Sequence, residues 1–393
     1  MPDSTTAEAT LAPWQGDFPD LLIVAGEHSG DEHAARLVRE MRRREPSLRI
    51  AAIGGEGLRA AGAHLLHDLT QSSVVGLAEV LSHYRYFRDL FEGLVSWIRE
   101  HRPRAVCLVD YPGFNLRLAA RLRREGISRK GGGSVEVHYY ISPQIWAWKA
   151  GRRFAMAETL DSLGVIFPFE VACYRDTALD VTFVGHPFVS PGYQLPVRMD
   201  PNGPVLLLPG SRRKAVGRIF PAMLGGWECY QDNPEVEKAR VLTPGEGIAA
   251  VVRESLEQSP VGVATISLHD VGNDEPQPGS SVLSSSGTMS LCCALAGIPG
   301  AIVYRVHPVT YWCGRMLVQV PYLGIANLIL PESPIYPEFL QSTATPQRLA
   351  AALHDAVSST RRKQTKAAAE KLRDRLAAPG PGAASWLLNR LDE

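Results

Sequence analysis

Short apolar runs alternate along this chain with longer stretches in which apolar residues recur every three or four positions. Residues 21–25, 49–53, 106–109, 135–141, 163–167 and 181–184 are runs of the buried-strand type, and 64–66 is a shorter one. After the first run the glycine turn at residues 26–31 opens a helical pattern with Ala34, Leu37, Val38 and Met41 on one face. Residues 74–100 form a long helical pattern, predicted to break in two. Its aromatics, mixed with His83, Arg85 and Arg88, suit either the core or a lipid headgroup layer. A second alternation follows, with strands expected at 205–208, 240–242, 266–268 and 282–283 and helices near 218–230 and 248–256. Strand and helix in strict alternation predict parallel sheets covered by helices, and two such series predict two doubly wound, Rossmann-like α/β domains facing across a cleft.

The breaks in periodicity give the expected boundaries. Residues 1–20 are polar and acidic and read as a flexible amino terminus, and 21–189 form the first domain. Residues 190–204, rich in proline and glycine, read as a linker, and 205–345 form the second domain. Residues 346–393 are helical, rich in alanine and arginine, and are expected to pack back on the first domain or on a partner subunit.

Composition narrows the class. With 393 residues, 45% hydrophobic and 21% charged, the chain has the makeup of a globular protein of two domains. Its 41 basic side chains balance 41 acidic ones, so no global charge draws it to nucleic acid. The six cysteines make no CxxC pair and mostly sit in apolar runs, as expected of buried thiols in a reducing compartment. No uncharged stretch approaches the ~20 residues of a membrane span, and the first residues lack the pattern of a signal peptide. A cytosolic protein is expected.

Candidate chemistry sits at strand ends. The run at 106–109 delivers Asp110 at its carboxyl end, and Tyr111-Pro112-Gly113 turns the chain into a helix. Ligands of open α/β sheets bind there, so Asp110 is placed for proton transfer, although the position also suits a carboxylate that caps the turn. In the second half, Gly210-Ser211-Arg212 follows a strand with Arg213 and Lys214 behind it, and Ser286-Gly287-Thr288 leads into an apolar helix. Glycine and serine at helix amino termini, with a fork-shaped guanidinium, are the parts of a diphosphate site. Trp146 and Trp148 flank a strand end and are candidates for a sugar or acyl pocket, or for plain packing. His28, Asp31 and His33 straddle a turn and do not have metal-ligand spacing, and no metal or cofactor is expected.

These blocks together resemble the lipid-A-disaccharide synthase family, inverting glycosyltransferases of the GT-B type, over residues 24 to about 353. The resemblance is carried by Ala25-Gly26-Glu27 with Ser29-Gly30-Asp31, by Gly54-Gly55 and by the GLAEV block at 76–80. It continues through Asp110 to Asn115 (DYPGFN), His138 to Pro143 with Trp146 and Trp148, Pro168 to Glu170 and Gly185 to Pro187. Leu208 to Arg212, Ser286 to Thr288, Tyr304-Arg305 and Asn327-Leu328 extend it through the second half. The family glutamates expected three residues after Arg212 and four after Thr288 are replaced by Ala215 and Cys292.

The resemblance implies transfer of a diacylglucosamine unit from its UDP carrier to diacylglucosamine 1-phosphate, at the cytoplasmic face of the inner membrane. It implies Asp110 as catalytic base. It places Gly210, Ser211, Arg212, Ser286, Gly287, Thr288, Tyr304, Arg305 and Asn327 near the donor, and Glu27, Ser29, Asp31, Asn115 and Trp146 near the acceptor. It also implies a homodimer. The two replaced glutamates leave open a divergent relative that binds a sugar lipid or sugar nucleotide without this transfer.

Overall fold

The structure, a computed structural model, describes residues 11–69, 80–230, 238–258, 266–271, 275–307 and 320–392. The chain divides after Pro187 and again after Ala377, so that the first unit recovers the carboxyl-terminal residues.

The first unit holds seven parallel strands: β1 (Leu21–Ala25), β2 (Ile50–Gly54), β3 (His64–Asp68), β4 (Ala105–Val109), β5 (Glu136–Tyr140), β6 (Ser162–Val165) and β7 (Asp180–Phe183). Their order is β3-β2-β1-β4-β5-β6-β7. Helices α1 (His28–Arg44), α2 (Glu56–Ala60), α3 (Val80–His101), α4 (Pro112–Arg124) and α5 (Arg152–Thr159) connect them. β1, β2 and β4 are buried at every position, which is why they read as unbroken apolar runs rather than alternating ones.

The second unit repeats the plan. β9 (Val205–Leu208), β10 (Ala239–Thr243), β11 (Ile266–Asp270), β13 (Ser281–Ser284), β14 (Gly300–Tyr304) and β15 (Glu338–Leu340) lie in the order β11-β10-β9-β13-β14-β15. α6 (Arg213–Tyr230), α7 (Glu246–Glu257) and α8 (Thr288–Leu295) pack on it. Trp227, Phe220 and Met223 of α6 fill a core with Leu207, Val241 and Leu283. In both sheets the strand order reverses once, between β1 and β4 and between β9 and β13. A crevice opens at such a reversal because neighbouring connections leave on opposite faces of the sheet.

Four expectations differ from what is observed. α3 is one continuous helix from Val80, and its Leu90, Leu94, Val95, Trp97 and Ile98 are buried in the first core, with Phe87 and Phe91 packed on it. From Phe87 to Ile98, the part whose side chains are described, the apolar stripe is therefore core and not a lipid-facing surface. Residues 74–79, which include most of the GLAEV block, and Cys313 lie outside the described residues. Residues 190–204 belong to the second unit, where β8 (Val197–Met199) pairs in parallel with β12 (Gln277–Gly279). Proline and glycine there end elements without making a free linker.

Within the expected flexible terminus, the Ala12 N–H donates to the Leu66 carbonyl at 2.7 Å and the Trp14 ring meets Trp97 edge-on. The carboxyl-terminal helices also divide. Pro346–Ala356 and Ser359–Leu376 stay in the second unit, with Leu349 and Leu353 in its core, and only Gly382–Asp392 returns to the first, where it packs on α1.

Candidate active site

β4 ends at the reversal point of the first sheet and hands the chain to Asp110 and Tyr111. Both have left-handed backbones, φ 47° and 49°. Two successive non-glycine residues in that region are costly, roughly 1–2 kcal/mol each, and persist only where neighbours hold them. Here the holding groups are visible. The Asp110 N–H donates to the Tyr140 carbonyl at 3.0 Å. Its own carbonyl accepts from the Tyr139 hydroxyl at 2.5 Å and from the Asn115 amide at 2.7 Å. The same Asn115 amide also reaches the carbonyls of Val109 (3.2 Å) and Val24 (3.3 Å), tying the ends of β4 and β1 together. Pro112 begins α4 with its φ already helical, so the strained pair is followed at once by a rigid element.

Gly26 is glycine for a local reason. A Cβ there would lie 2.0 Å from Cδ1 of Tyr111, so the β1–α1 turn and the Asp110 turn are fitted against each other. The Asp110 carboxyl, half-buried, is pushed up to about 6. Burial is the largest cause, the Glu27 charge adds to it, and the Tyr111 N–H opposes it. A carboxylate of that pKa is ionised above neutrality and still basic enough to accept a proton from a hydroxyl that is becoming an ether.

The other first-unit candidates separate into two kinds. Glu27 and Ser29 are exposed at the amino end of α1, on the Asp110 side. Asp31 is buried, and its oxygens accept from the backbone N–H groups of Gly55 (2.8 Å), Gly57 (2.9 Å) and Leu58 (3.2 Å). It caps α2 and welds α1 to the β2 turn, where a Cβ on Gly54 would stand 2.4 Å from Leu58 Cδ1, so the expected place of Asp31 as an acceptor ligand is withdrawn. Asn115 is likewise fully buried and acts on the backbone, not on a substrate. Trp146 is half-buried, and its indole N–H donates to Glu170 at 3.3 Å. Glu170 is pushed up to about 8 by burial, against donation from Phe167 and Trp146, and carries its proton at neutral pH.

At the reversal point of the second sheet, the turn after β9 and the turn after β13 lie side by side. The Ser285 N–H donates to the Leu208 carbonyl at 2.8 Å. Gly210, at φ 107°, comes so close that a Cβ would stand 3.0 Å from the Ser285 hydroxyl. Ser211, Arg212, Gly287 and Thr288 are exposed, Ser286 is half-buried, and α8 starts at Thr288 behind Gly287, which offers no side-chain cap. Its first N–H groups are therefore open to an anion. Tyr304 ends the neighbouring β14, and Arg305 is turned to the Ala344 carbonyl at 2.6 Å.

Asn327 does not join this group. It is fully buried, donates to the Tyr336 carbonyl and to Glu338, and accepts from the N–H groups of Ile335 and Tyr336. Its hydrogen-bonding capacity is spent inside the unit, so its placement beside the donor is withdrawn. Cys292 is buried too, with its thiol pushed up to about 12 by desolvation.

A lipid-A-disaccharide synthetase family model matches residues 21–380. Lipid-A-disaccharide synthases of Nitrosococcus oceani and Geobacter metallireducens are 34% and 36% identical. The first covers 89% of this chain and 90% of its own, the second 92% and 94%. The chain belongs to the lipid-A-disaccharide synthase family. Among solved structures, the calicheamicin glycosyltransferase CalG4 is similar in fold (TM-score 0.54, 14% identity, covering 95% of this chain and 99% of that one). So is a UDP-GlcNAc 2-epimerase from Neisseria meningitidis (0.56, 10%, covering 94% and 98%). The protein is thus a glycosyltransferase of this family, with the two Rossmann-like domains of the GT-B fold.

Two groups lie inside blocks that carried the family resemblance, yet the sequence assigned neither of them a role. Tyr139 looks like an ordinary strand aromatic, and no periodicity distinguishes a ring whose hydroxyl will meet the Asp110 carbonyl. Glu170 lies in a short proline-led turn and carries no sequence sign that it will be protonated against Trp146.

Proposed function

We propose that this chain transfers a 2,3-diacylglucosamine unit from UDP-2,3-diacylglucosamine to the 6-hydroxyl of 2,3-diacylglucosamine 1-phosphate, forming the β-1,6 disaccharide of lipid A and UDP. The observation that carries the reading is Asp110, a half-buried carboxyl with a raised pKa on a backbone fixed by Asn115 and Tyr139. It takes the proton of the acceptor hydroxyl as that oxygen attacks the anomeric carbon. The bond from that carbon to the diphosphate breaks, its electron pair leaves with UDP, and configuration inverts. In the second unit, Arg212 and the N–H groups at Gly210-Ser211 and Ser286–Thr288 meet the charge gathering on the departing diphosphate. Glu27 and Ser29 belong with the acceptor, and Tyr304 and Arg305 with the donor.

Because both substrates are acylated, the reading takes the protein to the cytoplasmic face of the inner membrane as a peripheral enzyme. No helix among the described residues is long and apolar enough to cross a membrane. Co-flotation with vesicles tests this placement, and sedimentation tests the dimer. The deciding experiment is transfer of labelled diacylglucosamine by the purified chain beside Asp110→Asn. Product from the native chain and none from the variant supports the assignment, while equal product from both sinks it.

A further inference from the structure

Trp148 and Phe154, two of the large apolar side chains most exposed among the described residues, lie in the turn after β5 and the start of α5, at 46% and 48% exposure. Two cations are drawn over the first of them. The Lys149 ammonium stands 4.5 Å from the Trp148 ring centroid, and the Arg152 guanidinium stands 5.2 Å from it. Like charges sharing one ring repel, so the pair is stable only in part by the ring and calls for an anion. Their neighbour Arg153 already has one, bound to Asp176 at 2.7 and 2.6 Å. Neither Lys149 nor Arg152 has an ion-pair partner among the described residues.

Lys149 is also held in a left-handed backbone, φ 55°, an uncommon conformation for a lysine. The turn lies on the Asp110 side of its own unit. β5 runs parallel to β4 with Tyr140 beside Val109, so the chain leaves β5 at the edge where Asp110 stands.

We propose that Lys149 and Arg152, backed by Trp148, form the subsite for the phosphate of the acceptor sugar lipid, so that the hydroxyl at the other end of the same sugar is offered to Asp110. The inference rests on the reaction proposed above. A phosphate monoester carries up to two negative charges and three acceptor oxygens, which a guanidinium fork and an ammonium match together. The exposed Trp148 and Phe154 faces give the sugar and the first acyl carbons an apolar surface. A phospholipid headgroup presents the same phosphate chemistry, so the experiment must separate the two sources.

Arg152→Gln, Lys149→Gln and the double variant are compared with the native chain on acceptors with and without the 1-phosphate, presented in detergent. On the phosphorylated acceptor each variant is expected to raise KM roughly ten- to hundred-fold. The donor KM and kcat should stay within about twofold. All forms should use the phosphate-free acceptor equally poorly. Equal losses on both acceptors, an altered donor KM, or no loss at all overturns the subsite. So does a defect confined to flotation on phosphatidylglycerol vesicles, which assigns the cations to the bilayer. Calorimetric titration with glucosamine 1-phosphate against glucosamine gives a reading independent of turnover. Binding of the phosphorylated sugar that Arg152→Gln abolishes, in a chain that transfers nothing, keeps the subsite and rejects the reaction. A native chain that transfers but does not distinguish the two sugars does the reverse.

Discussion

The two units place their candidate groups at equivalent points of equivalent sheets, yet dress them in opposite ways. Around Asp110 the polar groups are turned inward: Asn115 and Tyr139 are buried and spend their hydrogen bonds on a left-handed backbone. At the ends of β9 and β13 they are turned outward, with Ser211, Arg212 and Thr288 exposed and the first N–H groups of α8 uncapped. In the proposed reaction proton abstraction depends on one oxygen at one angle, which the rigidity and shifted pKa of the first edge suit. Holding the proposed diphosphate depends on many weak donors that must reach solvent before the ligand arrives, which the open second edge suits. A strained, desolvated site lowers stability, whereas an open one does not.

The largest effect that this contrast predicts is at Asp110. Asp110→Asn should lower kcat about 10²–10⁴-fold, as expected for loss of a general base, measured by disaccharide formation. It should also make the fold more stable. The folded pKa of about 6 lies above the ordinary 3.8, so ionised Asp110 destabilises the native state above pH 6. The asparagine variant should gain on the order of 1–3 kcal/mol at pH 7–8, a gain that shrinks below pH 6 and vanishes under pH 4 in thermal unfolding. A variant less stable than native at pH 8 would refute the desolvated carboxylate. The native rate should fall on the acid side with a midpoint near 6.

Arg212→Gln comes next and should invert the pattern. UDP affinity in calorimetry should fall about 10–100-fold, as for a lost charge-assisted contact, while the unfolding midpoint stays where it was, since the side chain is exposed. A large loss of stability would show that the second edge is braced like the first.

Asn115→Ala removes the donor from three carbonyls and should cost about 2–3 kcal/mol of stability. The strained turn relaxes with it, so kcat should drop with little change in UDP affinity. Tyr139→Phe leaves Asn115 in place and is the mildest case, costing roughly 1 kcal/mol and a few-fold in kcat. If it matched Asn115→Ala, the hydroxyl rather than the amide would be the principal support.

Much of this was legible along the chain. Strands buried on both sides must be apolar throughout, so β1, β4 and β9 stood out, and glycine, proline and serine marked the turns after them. β8, β12 and β15 were not legible, because three-residue strands are too short for any period and the first two lie among prolines. The stripe of α3 was read as belonging to either lipid or core. Amphipathicity says only that a face is covered, and here Leu90, Leu94 and Ile98 are covered by the sheet.

The sequence by itself determined the alternation of elements, the positions of the turns and the residue types available at each strand end, because these follow from local propensity and periodicity. Only the tertiary structure decided what each polar group does. Asp31, Asn115 and Asn327 carry the same chemistry as substrate ligands. They are structural because Gly55, Val24 and Tyr336 lie opposite them, up to 91 residues away. The same holds for Asp110, whose raised pKa comes from packing around it and from Glu27, a partner that chain folding, not chain order, brings near.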